Sequence, residues 1–279
     1  MDAAQQLREA DVEQPWREAL AIWAALRGSS PGTEWLRRTI PARAEDVHRF
    51  RRAVLQRTSG VPRGYAVGLA GFRKLDLWVD PRVLIPRPET EGLVDHVLAW
   101  ARWRADGALH WGTVADLGTG SGAIALALAT EGSFDRVVAT DISGDALDVA
   151  RRNITRVLPE TPVEVRLGSW LEALAGERFG ILVSNPPYVS PAEYAELDAS
   201  VREHEPQLAL VSDESGLAAT HHLLERSGDH LLPGGLLALE LDCRRAEVTL
   251  ALARDLGWSG RVAPDVFGRS RYLLATRES

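Results

Sequence analysis

The chain has 279 residues, 45% hydrophobic and 25% charged, which is ordinary globular composition for one large domain with a smaller companion. Its single cysteine, Cys243, excludes an internal disulfide framework and a thiolate metal cluster, and it favours a reducing compartment, the cytoplasm. The net charge of −7 is unevenly placed: residues 1–87 carry 15 basic and 10 acidic side chains, residues 88–279 carry 17 and 29, and an acidic body argues against generic duplex binding, which needs neutralised phosphates. The N-terminus mixes acidic and basic residues without an apolar stretch, so no signal peptide is expected. No apolar run approaches the roughly 20 residues that span a bilayer. The mildly basic first part suits either an acidic partner or a plain solvated face.

Residues 2–27 read as a helix, with Leu7, Ala10, Trp16, Leu20, Trp23 and Leu26 near helical spacing. Ser29-Ser30-Pro31-Gly32 reads as a loop, and Trp35-Leu36 and Ala44–Arg57 as further helical pieces. Residues 1–62 therefore form a small helical domain, in which Trp16, Trp23 and Trp35 are expected in the core, because so small a unit must bury its large side chains. Tyr65–Leu69 and Leu75–Val79 suggest a β-hairpin, followed by a stiff connector with Pro81, Pro86 and Pro88; residues 63–87 thus link the two parts. A helix then runs to about Arg104, with Glu89 and Glu91 in its first turn, where negative charge is favoured.

From residue 112 strands and helices alternate. The strands are Thr113–Leu117, Arg136–Asp141, Val163–Leu167, Phe179–Ser184, Leu236–Leu241 and two late ones near Gly260–Ala263 and Arg271–Ala275; the helices are Ser121–Thr130, Asp145–Val157, Gly216–Asp229 and Ala246–Leu256. A Leu-Leu-Pro-Gly-Gly turn is expected before Leu236. Such alternation implies an α/β domain over 88–279 with a mainly parallel sheet and ligands beyond the strands' carboxyl ends.

Three features at those ends carry chemistry. Asp116-Leu-Gly118-Thr119-Gly120-Ser121-Gly122 leaves the first of these strands and opens a helix; glycine lets a ligand approach the backbone, and the helix start presents free N–H groups. The spacing is G-x-G-x-G, not the dinucleotide G-x-G-x-x-G, and no lysine follows as in a P-loop. Asp141 ends the second strand, where an acid can hold both hydroxyls of a ribose or cap the next helix; Ser143 can serve as that cap instead. Asn185-Pro186-Pro187-Tyr188 ends the fourth strand as a stiff corner offering carbonyl oxygens, one amide and one aromatic face. It is either turn punctuation or a grip for a planar group with N–H donors. Seven histidines are scattered with no metal-ligand spacing, so no metal is expected.

Together the glycine loop, Asp141 through Asn153 and the Asn-Pro-Pro-Tyr corner resemble class I S-adenosylmethionine-dependent methyltransferases. More narrowly they resemble the HemK/PrmC family, protein-(glutamine-N5) methyltransferases that act on peptide chain release factors. Leu84–Glu91 and Glu203–Leu210 look like that family's segments, and Ser212–Leu217 and Phe267–Arg271 are looser matches. The resemblance implies a Rossmann-like, mainly parallel seven-stranded sheet with a small N-terminal helical domain for substrate recognition and a linking β-hairpin. It implies S-adenosyl-L-methionine as cofactor, held by Asp116, Gly118, Thr119, Gly120, Ser121, Gly122, Asp141, Trp170 and Asn185, with Trp170 near the adenine. Without the resemblance, Trp170 would read as ordinary core packing. Asn185, Pro186, Pro187 and Tyr188 would bind the substrate, with Asn185, Pro186 and Tyr188 catalytic. The implied partner is a release factor, modified on the Gln of a Gly-Gly-Gln loop. N6-adenine DNA methyltransferases have a similar corner, and a ribosomal-protein glutamine methyltransferase is a close alternative. A non-catalytic adaptor fits worst, because loop, acid and corner are all intact.

Overall fold

Five short helices precede the first strand in the computed structural model, which describes residues 2–104, 112–174, 176–213 and 215–277; Glu214, in one of the looser family matches, lies outside them. The single helix expected over 2–27 is two, α1 (Ala3–Glu9) and α2 (Pro15–Leu26). Asp11 and Gln14 adopt left-handed φ values of 53° and 47°, and Pro15, at the first position of α2, has no N–H with which to continue α1. Ser30, expected in a loop, caps α3 (Pro31–Leu36) by accepting from the Thr33 N–H at 3.1 Å. With α4 (Ala44–Thr58), these helices bury Leu7, Ile22, Ala53 and Val54. Trp16 and Trp35 are not in that core. They are 53% and 45% exposed and pack edge to face, ring centroids 6.0 Å apart, while Trp23 is half-buried and donates its indole N–H to Glu34 at 2.8 Å. Aliphatic side chains fill the small core, and two indoles find a partner in each other instead.

Tyr65 lies not in a strand but in α5 (Arg63–Val67), where its hydroxyl donates to the Val83 carbonyl at 2.6 Å. The hairpin is β1 (Leu69–Phe72) paired antiparallel with β2 (Leu75–Trp78). Three bonds of one side chain tie it to the rest. Asn153, in α8 (Gly144–Val157), accepts from the Trp78 N–H at 2.6 Å and donates to the carbonyls of Trp78 and Ser121 at 2.9 and 2.8 Å. The hairpin is thereby clamped to the glycine loop.

The main sheet has the order β5-β4-β3-β6-β7-β9-β8. Its strands are β3 (Thr113–Leu117), β4 (Arg136–Asp141), β5 (Val163–Leu167), β6 (Phe179–Ser184), β7 (Leu231–Glu240), β8 (Ser259–Pro264) and β9 (Ser270–Thr276). The first five run parallel, and β9 is antiparallel to both β7 and β8. β7 starts before the expected Pro-Gly-Gly turn, which it absorbs with a register shift between Phe179 and Ile181 of its neighbour. α6 (Pro88–Arg104) and α7 (Ala123–Glu131) cover one face, and α11 (Ala218–Arg226) and α12 (Ala246–Asp255) the other. Alternate strand residues serve the two layers: Val114, Ile181 and Leu236 on the first, Ala115, Leu182 and Leu237 on the second. Two short helices, α9 (Pro191–Glu196) and α10 (Ala199–Arg202), follow β6. Among the described residues no helix is long and apolar enough to cross a membrane.

The chain winds from β3 outward through β4 to β5, then returns to β6 on the other side of β3. The loops after β3 and β6 therefore leave the sheet side by side and diverge, which opens a crevice at this switch in strand order.

Candidate active site

A cavity of about 520 Å³ fills that crevice. Its floor is the glycine loop. Gly118 and Gly120 have φ of 74° and 54°, a conformation that a Cβ would strain, and nothing lies within 4 Å of where a Cβ on Gly120 would point. The amides of Gly118 and Thr119 donate to the Thr140 carbonyl at 2.9 and 2.8 Å, which lays the loop across the end of β4. Thr119 and Ser121 also line the cavity, whereas Gly122, with φ of 82°, packs against Ala150 and caps α7 from outside the lining.

Asp116 lies behind the loop, fully buried. One carboxylate oxygen accepts from the Thr119 hydroxyl at 2.6 Å and the Ala125 N–H at 3.1 Å; the other, Oδ1, has no partner among the described residues. Burial pushes its pKa up to about 7, against the opposing effect of those two bonds. Asp141 lines the cavity and accepts backbone N–H groups from Gly120 and Ser143, each at 2.9 Å. Burial raises its pKa as well. Ser143 caps α8 at the Ala146 N–H, so Asp141 is not spent on that task. Trp170 lines the wall opposite, where a Cβ on Gly118 would come within 3.3 Å of its ring.

The corner after β6 forms the other side. Ser184 donates to the Leu117 carbonyl at 2.6 Å, locking the ends of β6 and β3 together. Asn185 and Pro187 line the cavity, and Pro186 is buried behind them. The Asn185 amide donates from Nδ2 to the Thr90 hydroxyl at 3.1 Å, which turns its carbonyl oxygen to other donors. Tyr188 lies outside the lining, and burial raises the pKa of its hydroxyl. Glu240, 1% exposed at the end of β7, has one carboxylate oxygen, Oε2, with no hydrogen-bond partner among the described residues.

Thr90 and Arg87, inside the family-like Leu84–Glu91 segment, Ile142, inside Asp141–Asn153, and Glu240 were given no site role from the sequence. The first three line the cavity: Thr90 and Arg87 at the start of α6 and just before it, and Ile142 as a 57% exposed apolar residue directly after Asp141. Arg87 and Thr90 carried the signal of their family-like segment, and Ile142 one of its own, since an aliphatic beside a ligand-facing acid suits a flat apolar group. Arg87 pairs with the buried Glu205 at 2.6 Å, which fastens the connector to the Glu203–Leu210 segment whose Pro206 and Leu208 also face the cavity.

A glycine cradle, a buried orphan carboxylate oxygen, a second acid and an indole wall form a donor and acceptor set that fits an aminoacyl nucleoside. Residues 1–68 match the family model described as the PrmC N-terminal domain, and residues 104–202 match the methyltransferase small domain. A release factor glutamine methyltransferase of Moorella thermoacetica is 39% identical over 99% of this chain and 96% of its own length. One from Xylella fastidiosa is 45% identical over 72% of this chain and 70% of its own. Among solved structures, a methyltransferase from Pyrococcus furiosus covers 74% of this chain and 91% of its own at 23% identity and a TM-score of 0.54, a likeness of fold alone. The chain is an enzyme with the class I methyltransferase fold, and it belongs to the family of release factor glutamine methyltransferases.

Proposed function

We propose that the chain transfers a methyl group from S-adenosyl-L-methionine to the side-chain amide nitrogen of the Gln in a Gly-Gly-Gln loop of a class 1 release factor. The observation that carries this reading is the Asn185 amide. Its NH2 is tied to Thr90, so its oxygen is the group left to meet a donor at the cavity. Asn185 Oδ1 suits a target that is itself a planar NH2 group, and the family resemblance adds the Pro186 carbonyl as a second acceptor, although Pro186 is not among the cavity-lining residues.

An amide nitrogen is a weak nucleophile because its lone pair is delocalised. Bound S-adenosylmethionine supplies a methyl group activated by a sulfonium. The protein contributes alignment, and a well-oriented encounter removes up to about 7–11 kcal/mol of barrier in favourable cases. The paired acceptors also favour positive charge developing on the target nitrogen. The glycine loop with Asp116 would hold the amino-acid part of the cofactor, Asp141 the ribose, and Ile142 and Trp170 the base. We assign residues 1–62 to recognition of the release factor, 63–87 to the link and 88–279 to catalysis. A release-factor substrate places the reaction in the cytoplasm.

The test incubates the protein with methyl-labelled cofactor and three acceptors: a release factor, a ribosomal large-subunit protein and DNA. Label on the Gly-Gly-Gln glutamine is the expected result. Label confined to the ribosomal protein or to DNA would replace this reading with the corresponding alternative, and no cofactor binding by calorimetry would end the enzymatic reading altogether.

A further inference from the structure

β8 and β9 are joined by residues 265–269, none of which lines the cavity. Asp265 builds this tip. Its buried carboxylate accepts from the Phe267 and Arg269 N–H groups, each at 2.9 Å, and from Arg271 Nε at 2.8 Å. The Asp265 N–H donates to the Arg269 carbonyl at 2.8 Å, and the Gly268 N–H returns to the Asp265 carbonyl at 2.9 Å. The turn thus uses only the backbone of the residues it carries, yet two of them in a row are large and apolar. Val266 is 84% exposed and Phe267 70%. Single apolar side chains on a surface need no explanation, but an adjacent pair held out by a bonded loop has the character of an anchor, because a stiff apolar contact loses little freedom on binding.

The sheet register shows what this tip would meet. Ser184 of β6, Leu239 of β7 and Leu273 of β9 pair in one row across the sheet. Beyond that row β6 runs on into the Asn185 corner, while β9, antiparallel, arrives from the tip. Corner and tip therefore rise from the same end of the sheet, two strand spacings or about 10 Å apart. A glutamine that reaches Asn185 from a folded protein brings the surface around its loop over this end. Two side chains fall far short of the roughly 800 Å² per partner that a stable interface buries, so the tip suits a partner already held elsewhere, as a glutamine in the cavity would hold it. We infer that Val266 and Phe267 are a docking contact of the catalytic domain for the body of the release factor, seated in an apolar depression beside the loop that carries the target glutamine. The inference rests on the function proposed above.

The test measures release-factor binding by calorimetry in the presence of S-adenosylhomocysteine, beside steady-state methylation of the same release factor. The double variant Val266→Ser, Phe267→Ser should bind roughly tenfold more weakly and raise KM by a similar factor. Its kcat, cofactor affinity and Tm should stay near the parent's, the pattern of binding lost equally from ground and transition states. Phe267→Leu alone should keep most of the affinity. Unchanged release-factor affinity in the double variant would overturn the inference. So would a fall in kcat in place of affinity, which would give the tip a part in shaping the corner through Arg271. Self-association of the parent that the double variant abolishes, at unchanged release-factor affinity, would assign the tip to a second copy of the chain instead. A parent that neither binds nor labels a release factor ends the functional reading and this inference together, whereas a parent that labels the glutamine leaves the inference to be decided by the double variant.

Discussion

Arg87 and Glu205, 118 residues apart in the chain, meet at 2.6 Å with the carboxylate almost wholly buried. The same carboxylate accepts from the Ile85 N–H at 3.3 Å, so one acid holds the connector by side chain and backbone together. Both segments it joins line the cavity.

Arg87→Ala should therefore weaken two properties at once. It strands a buried carboxylate with one weak backbone donor, at a cost of roughly 1–3 kcal/mol. In a chain of this size that is a fall of several degrees in Tm. Calorimetry should show looser cofactor binding as well, because Arg87 and Leu208 both leave the wall. A lowered Tm with unaltered cofactor affinity would mean that the pair only braces the fold.

Asp116 makes a prediction about pH. Its pKa is up to about 7 in the folded protein against an ordinary 3.8, so between those values the native state holds a proton that the unfolded chain releases. Its contribution to stability therefore falls as pH rises from about 4 to about 7. Asp116→Asn keeps an oxygen for Thr119 and Ala125 and removes the buried charge. At pH 8 without cofactor it should be more stable than the parent by roughly 2–4 kcal/mol, and its stability should slope less between pH 4 and 7, as read by denaturant titration. Its affinity for the cationic cofactor should fall, since the orphan oxygen would become an NH2 group. Greater stability with undiminished affinity would separate Asp116 from the cofactor.

The central strands were legible in the sequence because strands buried on both faces are short, continuous apolar runs; β3, β4 and β6 have the expected bounds. α5 is too short for helical spacing to register, and Tyr65-Ala66-Val67 reads equally well as a strand. The break before α2 did have a signal in Pro15, which the apolar spacing through Leu20 and Leu26 masked. At the site, the glycine loop, Asp141 and Asn185 stood out because each ends a strand. Thr90 and Glu240 did not. Thr90 lies inside the Leu84–Glu91 connector that resembles the family's but had no site role of its own there, Glu240 lies in no local pattern, and a meeting of α6 with β7 that only the folded chain creates brings the two elements together.

Asn185→Ala removes the acceptor and keeps the backbone corner. The expected result is a steep fall in kcat with cofactor affinity within about twofold of the parent, the pattern of a group that acts on the substrate amide in the transition state. Asn185→Asp restores an acceptor but brings a negative charge into a part-buried corner where the Thr90 hydroxyl is its one recorded partner, and should recover little. Parallel losses of cofactor affinity and kcat in Asn185→Ala would place the residue in the cofactor site instead.

Gly92 sets two principles against each other. In the interior of α6, replacing glycine by alanine ordinarily gains about 1 kcal/mol. Here the added methyl would run into the Tyr272 hydroxyl, which donates to the Glu89 carbonyl and pins the start of α6 to β9. The clash should win, with a net loss of roughly 1–3 kcal/mol. Because Thr90 sits between Glu89 and Gly92, the displaced helix start should also carry Thr90 away from Asn185 and lower kcat. Tyr272→Phe removes the hydroxyl and relieves part of the conflict, so the double variant should be more stable than the two single losses added together predict. Strictly additive losses in thermal unfolding would mean that the helix start finds room without moving Tyr272.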